Sequence, residues 1–460
     1  MILESAVRKE VGAIWRLAWP VILGNVGFLL MGLVDTVMLG RLGEQALGAA
    51  AIGNILIFGL FVLPMGILAG LDPMVSQAYG AGNDAAIGRA VRRGVILALA
   101  LSLPLVVIYA DARWVLRLLG QPPELVPLAS EYIHAFAFSV TISLVYQAYR
   151  HVFQSMGIVK PLMWIVLSAN LVNFGANWVL IYGVPEWGIP AYGVTGAGWA
   201  TTIARGFMFA ALLVVMARGA YLLGPRLAAA LEGRVRVRRE MAGVAQLFRV
   251  GFPVGMQVSL EVWAFSLAGI MMGWLGTLPL AGHAVAINLV SLVFMVPMGV
   301  SVAAATRVGQ SVGRGDAVGA RRVAWTSLGL TAAIMTGATL LFALFPDALA
   351  GLYTTDAEVV AMVAILLPIA ALFQLFDGSQ VVGFGILRGA GDVRVAMWFN
   401  LVGYYALGLP IGYVLAFKLG FGAQGVWAAL AIGLFAVTLM ILWRLRTRLR
   451  GELRPLMPLR

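Results

Sequence analysis

The sequence predicts an all-α integral membrane protein. It should have twelve transmembrane helices in two six-helix lobes, related by a pseudo-twofold axis along the membrane normal. Three observations predict it. Of 460 residues, 61% are hydrophobic and 11% charged, and mean hydropathy is +0.94; a soluble chain with so few charges could not cover that apolar surface. Apolar runs long enough to span a bilayer, about 20 residues each, recur along the whole length. The chain also matches itself at a constant offset. Such a composition excludes an ordinary cytosolic enzyme, a disordered protein and a secreted scaffold. The lack of cysteine excludes disulfides, thiolate zinc sites and iron–sulfur clusters.

The first span, 13–38, carries Pro20 and Asp35. Glu4, Arg8, Lys9 and Glu10 precede it and no small-residue cleavage site follows, so it reads as a span and not a signal peptide. The second, 49–72, runs into Asp72-Pro73. The third, 93–112, follows Arg89, Arg92 and Arg93, and the fourth, 128–149, stops at Arg150. Spans five and six, 161–183 and 194–217, hold Asn170, Asn173 and Asn177, then Thr201, Thr202 and Arg205. A basic connection, 218–243, leads to 244–270 with Pro253 and Glu261. Then come 280–304, 323–345, 358–384 with Asp377, 395–417 and 423–444. Internal Gly and Pro are tolerated because neighbouring helices satisfy the freed backbone. Residues 1–217 thus form an N-lobe, 218–243 a cytoplasmic linker, and 244–460 a C-lobe with a basic tail.

Formal charge is +12, which in a soluble protein would suggest a polyanionic partner. Position along the chain says otherwise. With twelve spans, nearly all basic residues fall on one side; only Arg41, Arg113, Arg117 and Lys418 fall on the other, and Arg205 lies inside a span. That is the positive-inside pattern, with both termini cytoplasmic. The Arg234–Arg239 run then suits anionic lipid, and no nucleic-acid partner is expected.

The repeat is gapless over its first third. Pro20 matches Pro253, Gly40 matches Gly273, Pro64-Met65-Gly66 matches Pro297-Met298-Gly299, and Gln77 matches Gln310. Both halves start on the same side, so the repeats are parallel, an arrangement of transporters with a substrate site near the midplane.

Most acids fall in loops or at span ends, but three lie well inside spans: Asp35, Glu261 and Asp377. Each ionised acid costs about 2.5–3.5 kcal/mol at a helix centre on insertion scales. A buried carboxylate without a counter-charge takes up a proton or binds a cation. A helix-to-helix hydrogen bond or a salt bridge to Arg205 would also serve one of them. Asp35 falls opposite Ala268 in the repeat and Glu261 opposite Phe28. The acids therefore break the symmetry that the scaffold keeps. Asn173 and Asn177 share a helix face; they and Thr201 are either interhelical glue or a network around Asp35. Pro20 can kink the first span and act as a hinge. No phosphate-binding Gly-x4-Gly-Lys-Ser/Thr motif and no Ser/His/Asp set is visible, and the three His are scattered, so neither an ATP-driven motor nor an enzyme is expected.

The chain resembles the MATE (multidrug and toxic compound extrusion) transporters, specifically the NorM-like branch. The resemblance rests on Leu71-Asp72-Pro73-Met74-Val75-Ser76-Gln77-Ala78-Tyr79-Gly80-Ala81-Gly82, on Arg307-Val308-Gly309-Gln310-Ser311-Val312-Gly313-Arg314-Gly315, and on Leu387-Arg388-Gly389-Ala390-Gly391-Asp392. It implies a cation-coupled antiporter of the bacterial inner membrane. Na⁺ or H⁺ would be the coupling ion, no cofactor would be needed, and a monomer would export cationic or amphipathic small molecules. It also implies that Asp35, with Asn173, Asn177 and Thr201, forms the N-lobe site, and that Glu261 and Asp377 bind the cation, Na⁺ included. Phe373 departs from the pattern, since some relatives carry Tyr there, near the ion. The nearest rival is a flippase for lipids or lipid-linked precursors. It would call for cationic groups in the cavity, where this chain has one intramembrane Arg and three acids.

Overall fold

The computed structural model describes residues 2–218 and 237–456; most of the basic connection 218–243, with Arg226, Arg234 and Arg236, lies outside them. Described residues are helical with no strand beyond one isolated bridge, Val184 to Ile189. The helices are α1 (Ile2–Gly40), α2 (Glu44–Leu68), α3 (Leu71–Gly80), α4 (Asp84–Ala110), α5 (Arg113–Leu118), α6 (Val126–Ser155), α7 (Lys160–Tyr182) and α8 (Gly193–Ala217). After the connection come α9 (Val237–Leu275), α10 (Thr277–Gly313), α11 (Ala317–Leu344), α12 (Pro346–Gly351), α13 (Ala357–Gly389), α14 (Arg394–Lys418) and α15 (Gly422–Arg450). Twelve of these stretches, α2 and α3 counting as one, are long and apolar enough to cross a membrane, as the sequence predicts.

Several helices outrun their apolar windows, because charged ends keep good helix propensity outside the bilayer. Turn chemistry repeats with the sequence. Gly43 (φ 107) precedes α2 and Gly276 (φ 126) precedes α10, a conformation that L side chains rarely adopt. Asp316 caps α11 through the Gly319 amide at 2.7 Å, and Asp356 caps α13 through the Glu358 amide at 2.9 Å. Helix α14 is π-helical over Leu401–Gly408 and again over Val414–Lys418. There it runs against α15 so closely that a Cβ on Gly433 would lie 2.7 Å from the Gly403 carbonyl oxygen.

Packing gathers the chain into two compact units that exchange segments between the sequence halves. One holds Met1–Ile22, Asp72–Asn83 and Met256–Arg460; the other holds Leu23–Leu71 and Asp84–Gly255. The chain therefore changes unit inside α1 after Ile22 and inside α9 after Gly255, two points separated by the repeat offset. Each exchanged half-helix packs in the same way. In one unit, a Cβ on Gly66 would lie 2.6 Å from Gly255 Cα, and one on Gly70 would lie 2.6 Å from Gly251 Cα. In the other, the matching Ala18 and Ile22 of α1 press on Gly299 of α10, where a Cβ would lie 2.9 Å from the Ala18 carbonyl oxygen. Small residues one turn apart let membrane helices meet backbone to backbone. Ion pairs fasten both half-helices: Glu10 to Arg307 at 2.5 Å, and Glu240 to Arg92 at 2.6 Å and Arg93 at 3.4 Å.

Gly255→Val should destabilise the protein by about 1–3 kcal/mol, because besides the Ile67 side chain it strikes the Leu63 carbonyl oxygen at 2.8 Å, which is backbone and cannot turn aside. Gly337→Ala, with nothing within 4 Å of its Cβ, should leave thermal unfolding in detergent unchanged. Equal melting shifts for the two would refute the close-packing argument.

Candidate functional site

Asp35 sits on α1, fifteen residues after Pro20, and is 5% exposed. Its Oδ1 accepts from Asn173 Nδ2 at 3.3 Å and Asn177 Nδ2 at 2.5 Å; Oδ2 accepts from Thr201 Oγ1 at 3.0 Å. The register explains the convergence. Asn173 and Asn177 stand one turn apart on α7, and α8 packs beside α7 with Thr201 facing inward. Every donor is neutral. The salt bridge to Arg205 does not form; Arg205 acts on Asp35 through space. Asn177 Oδ1 has no partner. Asn170 and Thr202 stand apart from this network: Asn170 Nδ2 donates to the Val166 carbonyl at 2.9 Å, and Thr202 Oγ1 donates to the Ala135 carbonyl at 2.7 Å.

Glu261 and Asp377 belong to the other unit. Glu261 Oε2 accepts from Gln257 Nε2 at 3.2 Å and Asn400 Nδ2 at 3.4 Å. Asp377 is 3% exposed and its Oδ1 has no partner. Glu261 lies within electrostatic range of Asp377, and Tyr404 within range of both. Gln380 Nε2 donates to the Tyr404 hydroxyl at 2.9 Å. Phe373 is spent on packing, stacked on Trp427 with centroids 5.5 Å apart. Tyr404, on the π-helical turn of α14, is fully buried. Asp377 Oδ1, Gln374 Oε1, Gln380 Oε1 and Asn400 Oδ1 are buried acceptors without partners. Carboxylate and amide oxygens are the ligands hard cations take. Among the described residues no group of three or more His, Cys, Asp or Glu could hold a metal ion.

Gln257, Gln374, Gln380, Asn400 and Tyr404 are absent from the residues that the sequence singles out. A signal was present for some. Gln257 is one turn from Glu261, and Gln374 and Gln380 flank Asp377 on one helix. For Tyr404 there was none, because its position depends on the π-helical register.

The sequence signatures serve a structural end within one unit. Asp72 pairs with Arg388 at 3.4 Å, and Asp392 with Arg444 at 2.7 Å. Gln77 Nε2 donates to the Gly389 carbonyl at 3.0 Å, and its Oε1 accepts from the Leu456 amide at 2.8 Å. These motifs fasten helix ends to one another, and their acids are already paired.

The MatE family model matches the chain twice, over residues 20–179 and 253–414, in step with the internal repeat. Among curated proteins, the chain is 35% identical over 441 residues to a probable multidrug resistance protein NorM of Bradyrhizobium diazoefficiens, covering 94% of this chain and 92% of that one. It is 34% identical to multidrug resistance protein NorM of Burkholderia vietnamiensis, covering 93% and 92%. Among solved structures, the eukaryotic MATE transporter AtDTX14 superposes with a TM-score of 0.86 at 21% identity, covering 96% of this chain and 98% of that chain. The Vibrio cholerae MATE transporter VcmN in its bent form gives 0.84 at 17% identity, covering 97% and 99%. With the family model matched in both halves and full-length relatives above 30% identity, the chain belongs to the MatE family.

Proposed function

We propose that this chain is a cation-coupled antiporter that exports cationic or amphipathic small molecules by alternating access, with Na⁺ or H⁺ as the coupling ion. The observation that carries it is Asp35, a carboxylate inside an apolar helix held by three neutral donors and no basic partner. A group so placed answers to a proton, an alkali cation or a cationic substrate. The multidrug resistance names of the NorM relatives support the substrate class. Glu261 and Asp377, with the unpartnered amide oxygens near them, supply a second cation-responsive site, Na⁺ included. Coupling requires that ion and substrate favour different conformational states. Pro20, two residues before the point where α1 passes between units, is the hinge in this reading. The protein works as a monomer in the bacterial inner membrane, with both termini cytoplasmic, in contact with anionic lipid through its basic loops.

The test is efflux of a cationic dye from vesicles reconstituted with the purified protein, with Na⁺ and pH gradients imposed separately. Export driven by one or both is expected. Dye movement that ignores both gradients, or no dye movement at all, would overturn the proposal.

A further inference from the structure

The last helix ends at Arg450, and the chain beyond it is tied down. Gly451 is extended, and Arg448 Nη1 donates to the Glu452 carbonyl at 3.2 Å. Arg321 of α11 donates from Nη2 to the Arg450 carbonyl at 3.3 Å, and from Nε to the Leu449 carbonyl. Leu453 packs against the buried cluster that holds Leu445 and Leu449. Leu456 lies over Gly391, where a Cβ would come within 2.8 Å of the Leu456 Cγ. The Leu456 amide donates to Gln77 Oε1 at 2.8 Å. Chain ends ordinarily fray. This one is held by backbone, guanidinium and apolar contacts in turn.

Gln77 gives the tail its purpose. It is 2% exposed, and both ends of its amide are used: Nε2 on the Gly389 carbonyl, Oε1 on the tail. It stands on α3, which packs backbone to backbone on the C-terminal end of α10. A Cβ on Gly80 would strike the Gln310 carbonyl, and one on Gly313 would strike the Gln77 carbonyl. Gly80 and Gly313 are equivalent in the repeat, as are Gln77 and Gln310, so the contact is reciprocal. Helix α3 is thus gripped by α10, by the end of α13 and by the tail. Helix α2, by contrast, belongs to the other unit, which the chain leaves after Leu71. Only Ala69 and Gly70 separate the two helices. There the ladder gives way to tight turns, with the Ala69 amide on the Gly66 carbonyl at 3.2 Å and the Gly70 amide on the Ile67 carbonyl at 3.1 Å. An interrupted helix with one side gripped bends at the interruption.

We propose that the tail Gly451–Leu456 is a strap. Through Gln77 it seats α3 on α10 and α13, and so confines bending of the second span to Ala69–Gly70. Gln77 is then a positioning residue for transport and touches no substrate. This rests on the transport reading above, because a bend serves a conformational cycle.

Three variants test it. One is truncated after Arg450. Leu456→Pro removes the amide that meets Gln77 and keeps an apolar side chain there. Leu456→Met keeps both the amide and the apolar seat. In detergent, amide hydrogen exchange across α3 should quicken about fivefold to tenfold in the truncation and in Leu456→Pro, the scale of one hydrogen bond. Leu456→Met should match the wild type, and α7 should exchange alike in all four proteins. In vesicles, the maximal rate of dye export should fall about fivefold in the first two variants, with KM and dye affinity unchanged, a split that general destabilisation would not give. Unchanged exchange in α3 on truncation would overturn the strap. Equal quickening in α3 and α7 would make the tail a general stabiliser and overturn it too. Quickened exchange in α3 with a full export rate would strip Gln77 of its positioning role. Exchange is measured apart from export, so a wild type that moves no dye sinks the transport reading while exchange across α3 still decides the strap.

Discussion

Asp35→Asn is expected to cut gradient-driven export of a cationic dye by about tenfold to a hundredfold, the scale set by losing one buried charged hydrogen-bonding group. The substitution keeps the side-chain volume. It also keeps an oxygen for Asn177 Nδ2, the shortest of the three bonds at 2.5 Å. The new NH₂ group then faces Thr201, whose hydroxyl can rotate and accept. The network therefore closes without a void, at the cost of one bond, and the variant should still fold, with a melting temperature close to that of the wild type. What is lost is the ability to change charge. Asn cannot bind a proton, and it cannot neutralise a cation. Asp35→Glu keeps the charge and adds a methylene in a tight site, so partial activity is expected. Dye efflux in vesicles, with thermal unfolding measured alongside, checks both halves of the expectation. Unimpaired export by the Asn variant would remove Asp35 from the mechanism; lost export with a collapsed melting temperature would make it structural.

Much of this arrangement was legible in the sequence, for identifiable reasons. A span of about 20 apolar residues announces itself through composition alone, and the repeat through Pro, Gly and Gln in register. An acid inside an apolar run is conspicuous for the same reason, so Asp35, Glu261 and Asp377 stood out. The Asn173, Asn177 and Thr201 cluster was narrowed by helical periodicity, which puts the two Asn on one face, while the meeting with Asp35 needed the packing of α1, α7 and α8. Three things were hidden. The exchange of half-helices at Ile22 and Gly255 is a tertiary event, and local propensity is continuous across both points. Tyr404 owes its position to a π-helical turn, which hydrophobic pattern does not encode. Arg205 offered itself as a salt-bridge partner, because pairing is the cheap way to hold a charge in a membrane; that it rests on Phe136 follows from ring placement that no spacing rule gives.

Glu261→Gln and Asp377→Asn should each remove the effect of the coupling ion while leaving dye binding measurable, and the double variant should be no worse than the worse single one. The non-additivity follows from how the two acids are arranged. They lie within electrostatic range of each other; Glu261 accepts from Gln257 and Asn400, and Gln374 and Gln380 stand on the helix of Asp377 with unpartnered oxygens. Groups that serve one bound cation fail together when either is removed. The reading that decides the ion is thermal unfolding of the purified protein at fixed ionic strength, with NaCl exchanged for choline chloride. A ligand that binds only the folded state adds about 2.7 kcal/mol at a hundredfold excess over its dissociation constant. If Na⁺ is the coupling ion, the wild type should melt higher in NaCl and both single variants should lose that gain. If H⁺ is, the two salts should give the same melting temperature, and the variants should differ from the wild type in how export depends on the imposed pH gradient. Full ion-driven export by both single variants would exclude these acids from coupling and leave Asp35 as the cation-responsive group.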